Sequence, residues 1–276
     1  MRAPYVDYPT QKLAVNGLQM NVLIAGEGEP VLLVHGFPDT HAVWRKQIAQ
    51  LVEAGYRVIA PDTRGCGETS MPARVADYHR DILVEDLRAL LDVLGIDRVK
   101  LVGHDWGAVQ AWLFALRYPQ RVERYVALSV GHPAAYGRGG LAQKLKGWYV
   151  LMFQIRGFAE WLMKAFDWAF FRAFTAFPEE FPHWKPVLDR PGRLTAGINY
   201  YRANLGLILP QDFPRAKVPV HGIYSTGDRY LTEGQMRGTA DFVDAPFHYH
   251  VIEGANHWMQ MHCPERVNPL LLQCLK

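Results

Sequence analysis

A short apolar run, Val99-Lys100-Leu101-Val102, leads straight into Gly103-His104-Asp105-Trp106-Gly107, and a helical run from Ala108 to Leu116 starts directly behind it. A buried strand that becomes a helix over so few residues leaves no room for side chains beside the residue at its apex. Glycine is therefore needed on both sides of that residue. The turn lifts the side chain of Asp105 above the strand end and sets the backbone N–H of Trp106 at a helix N-terminus, where negative charge is favoured.

The flanking sequence repeats the strand-to-helix theme. Asn16-Gly17 between two alternating runs reads as a hairpin turn. Pro30-Val31-Leu32-Leu33-Val34 and Arg57-Val58-Ile59-Ala60 are short apolar runs of the kind buried on both faces, and Ile82 to Leu94 carries apolar residues three and four apart. Strand and helix in alternation predict a parallel sheet covered by helices on both sides. From about Gly131 to Pro214 the alternation stops, and this helix-like segment holds about half of the aromatic residues. Strand patterns resume at Val218 to Tyr224 and at Phe247 to Ile252. The expected organisation is one α/β core, residues 1–132 and 215–276, interrupted by a helical cap over residues 133–214.

A length of 276 residues suffices for one large core plus such an insertion. The formal charge of +3 is small, and Lys and Arg are scattered, so a nucleic-acid partner has no electrostatic footprint. Cys66, Cys263 and Cys274 are odd in number and lack metal or redox spacing. Residues Met1 to Tyr5 contain no apolar signal core. A reduced, cytoplasmic compartment is the expectation. The greasiest stretch, Trp148 to Phe177, is interrupted by Arg156, Glu160, Lys164, Asp167 and Arg172, so no membrane span is expected.

The turn at Asp105 has the G-x-nucleophile-x-G pattern, with aspartate where serine more often stands. Aspartate is a common helix cap, but a cap needs no glycine at both flanks. Only Ser70, Ser129 and Ser225 occur, none in such a turn, which excludes a serine esterase. A carboxylate attacking an sp³ carbon leaves an ester, and water can cleave it at the carboxyl carbon to regenerate the aspartate. That chemistry points to epoxides or organohalides.

His35-Gly36-Phe37-Pro38 follows the first parallel strand, so the N–H groups of Phe37 and Trp106 are candidates for an oxyanion hole. His257, in Gly254-Ala255-Asn256-His257-Trp258, follows the last strand, and Asp228 follows the one before. This gives the order nucleophile, acid, histidine. Asp105 is already ionised at neutral pH, so His257 is expected to deprotonate water instead. His104 should face away from the site, Asp62 should fix a turn, and Cys66 reads as a turn residue. His248 and His250 alternate along a strand, with no carboxylate or cysteine at ligand spacing, and no metal is expected.

Together, His35-Gly36-Phe37-Pro38, Arg64-Gly65-Cys66-Gly67-Glu68-Thr69-Ser70, Gly103-His104-Asp105-Trp106-Gly107 and Asn256-His257-Trp258-Met259-Gln260-Met261 resemble the α/β-hydrolase epoxide hydrolases over nearly the whole chain. The resemblance implies a mostly parallel eight-stranded sheet flanked by helices, an inserted helical cap and a cis Phe37–Pro38 bond. It also implies two cap tyrosines that hold the epoxide oxygen and donate a proton. Tyr149, in Trp148-Tyr149-Val150-Leu151-Met152-Phe153-Gln154, matches the first. In Asn199-Tyr200-Tyr201-Arg202 the second match falls on Tyr201, with Tyr200 the competing neighbour. No metal or organic cofactor is implied. The expected partner is a small epoxide with an apolar or aryl substituent; a homodimer is compatible with the sequence, which fixes no oligomeric state.

A haloalkane dehalogenase would share Asp105, His257 and the ester, and would hold halide with Trp106 and a second N–H donor. Phe37 offers no such side chain, whereas Trp148, Trp161, Trp168 and Trp184 remain candidates. A fluoroacetate-type enzyme would carry arginine at position 106. A non-catalytic binding protein on this scaffold is the reading from another class; such proteins typically lose a triad member, and all three stand here.

Overall fold

Asn16 and Gly17 both adopt positive φ, 45° and 75°, the backbone a two-residue hairpin requires to match the twist of its strands. They join β1 (Thr10–Val15) to β2 (Leu18–Ala25). The computed structural model describes residues 8–276, so Met1 to Tyr5, read above for an export signal, lie outside the described residues. The following strands are β3 (Glu29–Val34), β4 (Tyr56–Pro61), β5 (Val99–His104), β6 (Val122–Leu128), β7 (Val220–Ser225) and β8 (Phe247–Ile252). They form one eight-stranded sheet in the order β1-β2-β4-β3-β5-β6-β7-β8. Pairing is parallel from β4 to β8 and antiparallel at the β1–β2 and β2–β4 seams.

Alternation along the central strands sorts side chains onto two cores. Val31 and Leu33 enter one apolar cluster, and Leu32 and Val34 enter the other. The first face is covered by α1 (Arg45–Glu53), the second by α2 (Arg80–Val93) and α3 (Trp106–Arg117). Complete burial of each Val or Leu in such a sandwich stabilises the fold by about 1.5–3 kcal/mol relative to exposure. Strand β6 escapes a periodicity reading because Glu123 and Arg124 stand at its start, where the strand is only half covered.

Between β6 and β7 the main elements are helices: α4 (Pro133–Gly137), α5 (Gly140–Lys146), α6 (Tyr149–Met152), α7 (Phe158–Thr175), α8 (Phe181–Leu188) and α9 (Arg193–Ala203). Helix α7 is broken inside, with positive φ at Phe166, Asp167 and Trp168. After β7 come α10 (Glu233–Arg237), α11 (Met259–His262) and α12 (Pro264–Cys274), the last of which packs on α1. Among the described residues no helix is long and apolar enough to cross a membrane.

Candidate active site

Asp105 sits between β5 and α3 with φ 53° and ψ −126°, a conformation that costs a non-glycine residue of order 1–3 kcal/mol. The surrounding glycines are steric necessities. A Cβ on Gly107 would lie 2.0 Å from the carbonyl oxygen of Val34, and one on Gly103 would lie 2.7 Å from Cα of Ala108. Both close approaches clamp the turn between β3 and its own helix.

The loop after β3 supplies the next partner. Phe37–Pro38 is cis, and the Phe37 N–H donates to Asp105 Oδ1 at 2.8 Å. Gly36 lies so near that a Cβ there would meet that same oxygen at 2.3 Å. His35 is fully buried; its Nε2 accepts from the Thr63 N–H at 3.0 Å, while Nδ1 faces the Gly36 carbonyl at 2.9 Å. Trp106 begins α3, and its indole N–H is within bonding reach of the Tyr201 hydroxyl.

From the far end of the sheet, the loop after β8 brings His257. Its Nε2 stands 3.5 Å from Asp105 Oδ2, and its Nδ1 lies 2.7 Å from Asp228 Oδ2. The other oxygen of Asp228 accepts the N–H groups of Tyr230 at 2.8 Å and Leu231 at 3.0 Å, so that carboxylate is fixed. Burial by itself would lower the His257 pKa, but Asp228 and Asp105 together outweigh it and hold the imidazolium well above its ordinary range. Burial also works to raise the Asp228 pKa, and the charge of His257 reverses that.

Tyr149, on α6, and Tyr201, on α9, face each other across the site with ring centroids 5.8 Å apart. Both are buried, and burial together with the Asp105 carboxylate pushes each hydroxyl pKa well above 10. Tyr200 is turned the other way and donates its hydroxyl to the Arg64 carbonyl at 2.7 Å. Asp105, Tyr149 and Tyr201 line two cavities at once. One is a pocket walled by Trp106, Val109, Val130, Pro133, Val150 and Leu207, among others; the second, smaller one reaches His257 and Trp258.

Three further groups were not singled out by sequence. Tyr136 lines the large pocket, its hydroxyl pushed up to about 12 by burial and by Asp105. Tyr230 packs its ring 4.9 Å from His257. Asp39, directly after the Phe37–Pro38 turn, accepts from Trp184 Nε1 of α8 at 2.7 Å and from Trp258 Nε1 at 3.0 Å; burial raises its pKa to about 7. The aspartate after His35-Gly36-Phe37-Pro38 was visible, but its tryptophan partners lie 145 and 219 residues away.

Of the remaining candidates, His104 directs Nε2 to the His257 carbonyl at 2.9 Å, with its pKa pushed down to about 3 by burial. Asp62 takes the N–H groups of His41 and Glu68 at 2.9 Å each, tying down the loop after β4. Burial drives the Cys66 thiol up to about 12. Neither cavity at Asp105 is lined by Trp148, Trp161, Trp168 or Trp184. The expectation that no cysteine accompanies the strand histidines needs correction: His250 Nε2 lies 3.8 Å from Cys274 Sγ, because the C-terminal end of α12 reaches β8. Linear spacing along a strand cannot register a partner brought in by a later helix.

Comparison with known proteins agrees with this geometry. Residues 29–262 match the α/β hydrolase fold family. The chain is 33% identical to human epoxide hydrolase 4, covering 95% of this chain and 76% of the relative. It is 35% identical to epoxide hydrolase 1 of Siraitia grosvenorii, covering 96% and 97%. A Bacillus megaterium epoxide hydrolase variant, solved with its product, a naphthyloxy-propane-1,2-diol, superposes with a TM-score of 0.87 at 26% identity, over 96% of this chain and 99% of the other. The chain belongs to the α/β-hydrolase fold family and, within it, to the epoxide hydrolases.

Proposed function

We propose that the protein converts an epoxide and water to a vicinal diol through a covalent ester on Asp105, beneath a cap formed by residues 133–214 on a core of residues 1–132 and 215–276. The observation that carries this reading is the placement of one carboxylate among three kinds of partner. These are a backbone donor at 2.8 Å, an imidazole at 3.5 Å and two buried tyrosines facing it.

In the resting enzyme Asp105 is a carboxylate beside the His257 imidazolium. Asp105 attacks a ring carbon, the C–O bond of the epoxide breaks, and Tyr149 or Tyr201 donates its proton to the departing oxygen. Ester formation removes the negative charge of Asp105. That charge was one of the causes holding the tyrosine pKa values up, so the hydroxyls become more acidic as the alkoxide develops. The same loss withdraws one of the two carboxylates that kept His257 protonated. His257 then gives its proton to the tyrosinate and becomes a neutral base. Oriented by Asp228, it takes a proton from water, whose oxygen attacks the ester carbon. The oxyanion is met by the N–H groups of Phe37 and Trp106. Collapse releases the diol and restores carboxylate and imidazolium, so protons balance over the cycle.

The predominantly apolar wall of the larger cavity, built from Val109, Val130, Pro133, Val150, Leu207 and Ile208 away from Asp105, supports an apolar or aryl substituent, as does the aryl diol held by the Bacillus megaterium neighbour. Exposed Leu141, Leu145, Trp148, Leu151, Ile155 and Trp161 support a homodimer formed through the cap, which sedimentation in the ultracentrifuge tests: a monomer at all concentrations overturns it. Three free thiols support a cytoplasmic location.

A single turnover in ¹⁸O-water with excess enzyme tests the central step. Label is expected in Asp105, and label found in the diol alone overturns the ester. Incubation with styrene oxide and with 1-bromobutane tests the substrate class. Diol is expected; bromide without diol would transfer the site to dehalogenation, and neither product would favour a binding protein.

A further inference from the structure

Away from Asp105, β7, β8 and α12 bring together three side chains that the hydrolytic cycle does not use. His221 Nδ1 and His250 Nε2 are 3.1 Å apart, and Cys274 Sγ lies 3.8 Å from the same His250 nitrogen. All three atoms lie within 4.8 Å of one another, with Cys274 buried and both histidines half-buried. The geometry points to a divalent metal site of the zinc class, held by His221, His250 and Cys274.

The distances suit the chemistry. Zinc binds imidazole nitrogen at about 2.0–2.1 Å and thiolate at about 2.3 Å with tetrahedral angles, which places neighbouring ligand atoms about 3.3–3.6 Å apart. Two of the three separations fall near that range, and the widest must close by about 1 Å, a rotation of the Cys274 side chain. The donor set of two imidazoles and a thiolate favours zinc, cobalt or nickel over magnesium or calcium.

Coordination expels the thiol proton to water and replaces it with the metal, a step whose affinity rises with pH. The fourth corner falls to water.

Such a metal would act as a staple. Its ligands are separated by 29 residues between the histidines and 24 between His250 and Cys274, and it would tie edge strand β8 and the end of α12 to β7. His221 lies four residues before the end of β7, about 13 Å along the strand from the loop that carries Asp228, so the staple is separate from the reacting atoms.

The test is titration of the chelator-treated full chain with cobalt(II). Saturation is expected at one equivalent, with visible tetrahedral bands and a near-ultraviolet thiolate-to-cobalt band. Cys274→Ser should abolish the near-ultraviolet band, and His250→Ala should weaken binding at least about tenfold, no less than a lost outer-shell partner does. A variant carrying Cys66→Ser and Cys263→Ser should keep the full spectrum. Zinc(II) should raise the Tm of the wild type and not that of His221→Asn, a half-exposed position that keeps the measurement available should Cys274→Ser fail to fold. Absence of any cobalt spectrum, a thiolate band that survives Cys274→Ser, or an equal zinc effect on His221→Asn overturns the assignment.

Discussion

His257 Nε2 stands 3.5 Å from Asp105 Oδ2 while its Nδ1 is held at 2.7 Å by Asp228, so one imidazole is clamped between two carboxylates. Under the proposed cycle Asp105 is consumed in the first half, and the base needed for the second half is thereby switched on.

Removing that base should trap the cycle. His257→Gln keeps a side chain of similar reach but cannot take a proton from water. After exposure to an epoxide the variant is expected to be heavier by one substrate mass, carried on the peptide containing Asp105. An unmodified protein mass after substrate exposure would refute the ester.

The tyrosine pair separates from its neighbour by mutation. Tyr149→Phe or Tyr201→Phe is expected to slow alkylation by ~10²-fold or less, the range of one positioned acid, and the double variant should be nearly inactive. Tyr200→Phe removes a hydroxyl bonded to the Arg64 carbonyl. It should cost about 1 kcal/mol of stability and leave kcat near the wild-type value. Rapid-quench alkylation rates and denaturant melts read the two effects apart. Full activity in the double variant, or a large kcat loss from Tyr200→Phe, would reverse the assignment.

Charge loss at Asp105 predicts that ester hydrolysis is the half-reaction slowed by acid. His257 is held protonated in the resting state by Asp228 and Asp105, and only Asp228 remains once the ester has formed. Ester hydrolysis, which needs neutral imidazole, should therefore slow as pH falls, and the steady-state fraction of alkylated enzyme should grow. Quenched-flow mass spectrometry across the pH range measures that fraction. A fraction that shrinks in acid contradicts the switch.

Asp39 gives a stability prediction with a definite sign. Burial raises its pKa to about 7, above the ordinary carboxylate value, so the folded protein binds a proton that the unfolded chain releases. Its contribution is complete below about pH 4 and is lost as pH rises through about 7. Asp39→Asn cannot ionise, so between about pH 5 and about pH 8 the wild type should lose up to about 3 kcal/mol relative to the variant. Paired urea melts test this, and a wild-type-minus-variant difference that does not move with pH refutes it.

Much of this arrangement is legible in the sequence because its determinants are local. The glycines around Asp105 answer clashes with β3 and α3, and Asn16-Gly17 answers the φ demands of a hairpin. Residues 247–252 form β8 as their alternation predicts, and Val218 and Pro219 fall just before β7 because the strand pairing begins at Val220. What stayed hidden depends on distant closure. Asp39 gains meaning only when Trp184 and Trp258 converge on it, Tyr136 only when α4 roofs the pocket, and Cys274 only when α12 reaches β8. Tyr201 was separable from Tyr200 by resemblance alone, since two adjacent residues on a helix differ by a rotation that sequence does not report.

The two cavities meeting at Asp105 bear on how tolerant the enzyme can be of bulky guests. Once a long apolar tail has filled the larger chamber, that route is corked by the very group being processed. The smaller chamber, beside His257, has its own wall of Phe37, Pro38, Phe174 and Tyr230. Water reaching the imidazole through that chamber would bypass the tail, so lengthening the tail should burden the attack on the ring and leave the release of product unchanged.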